Sequence, residues 1–159
     1  MRIGIFLCQC RGEISQNLDL NVLSEFAKED EDVVYAQIHT ALCSSSSYGA
    51  IKKVIKDHKI DRVVIAACSP KYYEDIFRKT IESAGLNPGY LAMANVREQC
   101  AWPHRHETDA CLAKAKLILQ GAIEKVKLSQ PINLEQSSVK KSVLVVGGGI
   151  AGIHAALSL

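Results

Sequence analysis

Six cysteines stand in the 159 residues, and five of them, Cys8, Cys10, Cys43, Cys68 and Cys100, recur at intervals along the chain. Thiolates are soft ligands, and four that converge suit zinc or an iron–sulfur centre. Apart from Cys8-Gln9-Cys10 the spacing is wide, unlike the close cysteine pairs of zinc ribbons and small ferredoxins, so a shared site must be assembled by the fold. The competing reading is packing, because free cysteine is among the most buried residue types and fills cores as a small hydrophobe. Cys111, beside Leu112 in a helical pattern, fits packing best.

A second constellation is Gly147-Gly148-Gly149-Ile150-Ala151-Gly152, in which Gly147, Gly149 and Gly152 match G-x-G-x-x-G. An apolar run, Ser142 to Val146, precedes it and a helical start, Ile153 to Leu159, follows. In that setting bare backbone approaches a pyrophosphate at a helix N-terminus. The plain alternative is a tight strand-to-helix turn without ligand. The acidic residue that would meet a ribose about twenty positions later falls beyond Leu159, so the reading is the opening β-turn-α of a larger dinucleotide-binding domain.

Other polar residues carry weaker signals. His104 and His106 share a loop with Arg105 and Glu107 and are expected to be solvated or hydrogen-bonded nearby. Arg97 offers hydrogen bonds to a cluster sulfur or a partner to a carboxylate, and Trp102 either shields a centre or packs under the next helix. Ser44 to Ser47 read as helix capping, since no Gly-Lys-Ser/Thr phosphate loop is present. Tyr72 and Tyr73 read as rim and core of a helix. No Ser-His-Asp set, carboxylate pair or His-Glu-x-x-His motif stands in a persuasive setting, which leaves hydrolysis without support.

The elements that must position these residues alternate strand and helix. Strands are predicted at Arg2–Cys8, Val33–Ile38, Arg62–Ala67 and Tyr90–Asn95, nearly continuous apolar runs of the kind covered on both faces. Helices are predicted after Asp19, around Tyr48–Ile55, after Ser69-Pro70 with Gly85 as left-handed cap, and over Thr108–Leu128. The fold class is α/β: an open, mostly parallel four-stranded sheet with flanking helices, Rossmann- or flavodoxin-like. In such a sheet the carboxyl ends of the strands share one ligand-binding edge, to which every strand or its following loop brings a cysteine. The expected units are 1–129, an α/β cysteine-rich domain; 130–141, a linker; and 142–159, the start of a second domain.

Composition sets outer limits. With 48% hydrophobic and 23% charged residues, the chain can bury one core. A net charge of +2 without a basic stripe argues against nucleic acid, and no apolar run approaches the roughly eighteen residues of a membrane span. Met1-Arg2 leads directly into the first strand rather than into an export signal, so the expectation is a soluble, cytoplasmic protein with reduced thiols.

The chain resembles the N-terminal part of the A-type subunit of heterodisulfide reductase, the flavin-containing iron–sulfur component of the enzyme in methanogens and related anaerobes. The resemblance rests on Cys8-Gln9-Cys10, Cys43-Ser44, Val63-Val64-Ile65-Ala66-Ala67-Cys68-Ser69-Pro70, Ala84-Gly85-Leu86-Asn87-Pro88, Ala94-Asn95-Val96-Arg97-Glu98-Gln99-Cys100-Ala101-Trp102 and Val145-Val146-Gly147-Gly148-Gly149-Ile150-Ala151-Gly152. It departs from the family in two loops. The usual Cys-x-Cys-Gly-x-Asn-Ile reads Cys8-Gln9-Cys10-Arg11-Gly12-Glu13-Ile14, and a Pro-Gly-Gln-like turn is replaced by Ser45-Ser46-Ser47-Tyr48-Gly49. The resemblance implies a parent oxidoreductase that binds FAD, carries several 4Fe-4S clusters and splits electron pairs between acceptors. For this chain it implies an electron-transfer module with one 4Fe-4S cluster on four of Cys8, Cys10, Cys43, Cys68 and Cys100. FAD would contact Gly147, Gly149 and Gly152 in the parent and would not be retained by this chain alone. The implied partners are other components of a heterodisulfide reductase-type complex, or a hydrogenase- or ferredoxin-like electron donor. The runner-up is a zinc or thiol-redox domain that docks partners without electron transfer.

Overall fold

The computed structural model describes residues 1–133, 138 and 140–159. Strands β1 (Ile3–Cys8), β2 (Val33–His39), β3 (Arg62–Ala67) and β4 (Leu91–Asn95) form one sheet in the order β2-β1-β3-β4. Every pairing is parallel. The helices are α1 (Leu20–Lys28), α2 (Ser45–Asp57), α3 (Pro70–Glu82), α4 (Thr108–Lys127) and α5 (Ile150–Ser158). Helix α1 packs with α4 and α2 packs with α3, so β1 and β3 are covered on both faces. That explains why these central strands are apolar without alternation: Ile5, Phe6, Leu7, Val63, Val64 and Ile65 are all fully buried. Among the described residues no helix is long and apolar enough to cross a membrane.

Local chemistry sets the element ends. Asp19 accepts from the backbone N–H groups of Asn21 and Val22 and caps α1, Ser69 caps α3 ahead of Pro70, and Gly85 takes φ +97° beyond the α3 end. Strand β4 starts one residue later than predicted because Asn87 and Pro88 close a 3-10 turn over Pro88–Tyr90, with Asn87 Oδ1 accepting from Gly89 N at 2.8 Å. Helix α2 starts at Ser45, a turn before the predicted Tyr48, and the Ser44 and Ser47 hydroxyls both donate to the Ala41 carbonyl.

The predicted strand Ser142–Val146 pairs with no other strand among the described residues, although the helix after it is present as α5. Val143, Leu144 and Val146 are 66%, 87% and 87% exposed, so neither a ladder partner nor a core holds this segment as a strand. Residues 134–137 and 139 of the predicted linker lie outside the described residues. Its start is held by Asn87, whose side chain donates to Ile132 O at 2.9 Å and accepts from Ile132 N at 2.8 Å.

Candidate metal centre

The strand order places β1 between β2 and β3, so the chain leaves β1 and β3 toward opposite faces of the sheet. The crevice beyond the carboxyl ends of those two strands is the topological switch point, where open α/β sheets bind their ligands. Cys8 ends β1, Cys10 lies in the loop after it, and Cys68 follows β3 directly. Cys43 enters from the loop after β2, which is tied to the β1 loop by Gln9 N donating to His39 O at 2.8 Å and Arg11 N donating to Thr40 O at 3.0 Å.

These four thiols are electrostatic neighbours: Cys8 senses Cys10 and Cys43, and Cys68 senses Cys10 and Cys8. Cys8 and Cys68 are buried, Cys10 is half-buried and Cys43 is exposed. Burial pushes the Cys68 thiol up to about 11, against the opposing pull of Arg97. Burial also raises Cys8, while the backbone N–H groups of Leu42 and Cys10 pull the other way by donating to its sulfur at 3.4 and 3.3 Å. Buried thiols of this kind release protons when a metal takes them as thiolates.

The β1 loop is strained. Cys10 and Arg11 have φ of +52° and +53°, left-handed values that side-chain-bearing residues rarely adopt, and Gly12 follows at +106°. The turn aims Cys10 back toward β4, where Arg97 Nη1 donates to its sulfur at 3.0 Å. Arg97 also pairs with Glu98 at 2.9 Å and lies 4.6 Å over the Trp102 ring, whose Nε1 donates to Glu13 Oε2 at 3.0 Å. Burial opposes the Arg97 charge, but Glu98 and the Cys10 sulfur outweigh it and hold the guanidinium firmly protonated. Arg97 therefore serves a cysteine sulfur and a carboxylate at once.

Cys100 stands apart. It is fully buried in a π-helical turn, Arg97–Ala101, and its electrostatic neighbours are Cys111 and Lys114. Burial, reinforced by Cys111, pushes its thiol up to about 11. Cys111, fully buried in α4, packs as its pattern suggested. His104 is hydrogen-bonded to Glu107 at 3.0 Å.

Among the described residues no three His, Cys, Asp or Glu side chains approach closely enough to hold a single metal ion. One zinc draws four sulfurs onto itself, whereas in a cubane cluster each thiolate binds its own iron and the sulfurs stand farther apart. The donor set, four thiols with two backbone N–H groups on one sulfur and a guanidinium on another, is of the soft kind that suits zinc or an iron–sulfur centre. Two buried polar atoms at this edge, His39 Nε2 and Glu98 Oε2, have no hydrogen-bond partner among the described residues. His39 is the register partner of Cys8, and burial lowers its pKa.

Some of this neighbourhood was not legible in sequence. Tyr73, read as a core residue of α3, is half-buried with its hydroxyl set against the Cys43 thiol, whose charge is the main cause of its raised pKa. The available signal was its place in the first turn of the helix that follows Cys68. Glu13 and His39 carried no signal.

The glycine turn has the shape its spacing implies. Gly147 has φ +116°, Gly149 caps α5 with open space around it, and a Cβ on Gly152 would collide with the Gly147 carbonyl oxygen. These are the three tasks of the dinucleotide fingerprint: the tight turn, the unobstructed backbone and the close helix approach.

No family model matches the chain. It is 41% identical over 159 residues to an A-type iron-sulfur subunit of the CoB–CoM heterodisulfide reductase of Methanopyrus kandleri, covering all of this chain and 24% of that protein. It is 44% identical over its whole length to the A-type subunit of the ferredoxin:CoB-CoM heterodisulfide reductase of Methanosarcina mazei, covering 20% of it. It is also 40% identical over 158 residues to an Archaeoglobus profundus protein described as like the A-type subunit of heterodisulfide reductase, covering 99% of this chain and 22% of the relative. The chain thus spans a quarter or less of the length of these relatives. Along essentially its whole length it is similar to the opening part of A-type subunits of heterodisulfide reductase.

Proposed function

We propose that the chain is an electron-transfer module that holds a 4Fe-4S cluster on Cys8, Cys10, Cys43 and Cys68. The observation that supports the reading is that Cys8, Cys10 and Cys68 lie at the carboxyl ends of β1 and β3, and Cys43 in the β2 loop tied to the β1 loop by backbone hydrogen bonds, while Cys100 is buried in the π-helical turn. The relative from Methanopyrus kandleri is named an iron-sulfur subunit, which supports iron over zinc. When bound, the cluster supplies reversible one-electron chemistry. The chain's own residues supply ligation, exclude water over Cys8 and Cys68, and leave Cys43 as the exposed side.

The partners that fit are other components of a heterodisulfide reductase-type complex, or a hydrogenase- or ferredoxin-like donor, meeting the centre without nucleic acid or membrane in a cytoplasmic setting. The parent would be an oxidoreductase of methanogenesis, with FAD over Gly147, Gly149 and Gly152. That shallow, exposed turn is not expected to retain FAD by itself.

Anaerobic reconstitution with iron and sulfide tests the reading. The expected product is brown and contains about four iron per chain. A colourless chain with stoichiometric zinc and no iron would replace this reading with the zinc docking domain.

A further inference from the structure

We infer that Arg97 is a positioning residue of the centre, placing a fixed positive charge on the Cys10 sulfur and so raising the reduction potential. The inference rests on the cluster proposed above and adds which residue tunes it.

Nothing in the strand ladder requires the contact. Arg97 follows β4, which is separated from β1 by β3, and it is 87 positions from Cys10 in sequence. Three devices bring it there. Asn95 Oδ1 accepts from Glu98 N at 3.1 Å and sets the start of the turn. The π-helical turn then carries Trp102 N to Arg97 O at 2.9 Å, stacking residues five apart, so the indole becomes a platform for the guanidinium. Finally, Glu13 in the β1 loop takes the indole N–H and closes a ring from Cys10 through Arg97 and Trp102 back to its own loop. The Arg97 side chain is only 18% exposed, so solvent screens its charge weakly.

A hydrogen bond and a cation at a ligand sulfur stabilise the reduced, more negative cluster more than the oxidised one. Glu98 works in the opposite sense. Its carboxylate is paired with Arg97 through one oxygen, while the other is buried without a partner among the described residues and its charge is felt at Cys68. The potential is therefore set by a cation and an anion adjacent in sequence, and neutralising one should move it opposite to neutralising the other.

The test is a redox titration followed by electron paramagnetic resonance on the anaerobically reconstituted chain, beside Arg97→Gln, Arg97→Lys, Glu98→Gln and Glu13→Gln, each with its iron counted. Arg97→Gln is expected to weaken reduction about tenfold, which is ~59 mV for one electron. Arg97→Lys keeps the charge but not the planar fork and should shift less in the same direction. Glu98→Gln should favour reduction several-fold, and Glu13→Gln should move the potential less than either charge change at the sulfur. A purely structural Arg97 would lower iron content and leave the potential of the remaining clusters unchanged, overturning the inference. If Arg97→Gln takes up no iron, Glu98→Gln decides, and an unshifted potential there overturns it. An unmodified chain that takes up no iron overturns the cluster itself, and this inference with it.

Discussion

Cys68 and Cys100 each follow a strand at the same edge of one sheet, yet they belong to different surroundings. Cys68 faces the switch-point crevice with Cys8 and Cys10 as neighbours, and its exposure is 6%. Cys100 is carried past the edge by the π-helical turn and folded beneath α4, where Cys111 and Lys114 are its neighbours and its exposure is zero. Strand position thus brings a thiol to the edge, but the loop geometry after the strand decides whether it stays there. A single turn closed by i+5 hydrogen bonds, in place of an extended loop, is enough to carry Cys100 from the edge into the core.

This contrast is sharpest under replacement. Cys8→Ser, Cys10→Ser or Cys68→Ser is expected to remove most of the iron from the reconstituted chain, read by metal analysis, because hydroxyls are poor ligands for iron–sulfur clusters. Cys100→Ser or Cys111→Ser should keep the iron and cost about 1–3 kcal/mol of stability in chemical denaturation, since a hydroxyl is buried where a soft apolar group packed. Iron loss from the second pair without loss from the first group would reverse the roles assigned to them.

Reagents draw the same line without mutation. In the metal-free chain under native conditions, alkylation followed by mass spectrometry should label exposed Cys43 first, and Cys100 and Cys111 last. The pH response is a smaller effect. The folded state holds the Cys68 and Cys100 protons up to about 11, against an ordinary value of 9.0. Their contribution is therefore complete below about pH 9, and the metal-free chain should lose stability as pH rises through the interval toward 11. Thermal melts across that range measure it. The slightest change is Arg11→Gly, which relieves a left-handed residue in the β1 loop and should stabilise the chain by about 1 kcal/mol in urea unfolding.

The sheet was legible because its signals are local. Continuous apolar runs such as Val63–Ala67 identify buried parallel strands, and Ser69-Pro70 and Gly85 punctuate α3 as they would in an isolated helix. The cysteine edge was legible too, because parallel strands put their carboxyl ends together whatever their order. What could not be read was the path of the chain after β4. Nothing in Val96–Ala101 announces an i+5 turn, so Cys100 was indistinguishable from the other four cysteines. The Cys10, Arg97, Trp102 and Glu13 ring joins residues as much as 89 positions apart, beyond the reach of any periodicity. Ser142–Val146 shows the converse: a strand-like composition with no partner to pair with is not a strand among the described residues.

The most direct measurement is the iron and sulfide content of a Cys100→Ala, Cys111→Ala double variant, reconstituted anaerobically beside the unmodified chain. If the edge thiols hold the cluster, both preparations contain about four iron per chain and share one electron paramagnetic resonance signal after reduction. A folded double variant that stays colourless while the unmodified chain turns brown would contradict the assignment of Cys8, Cys10, Cys43 and Cys68 as the complete ligand set.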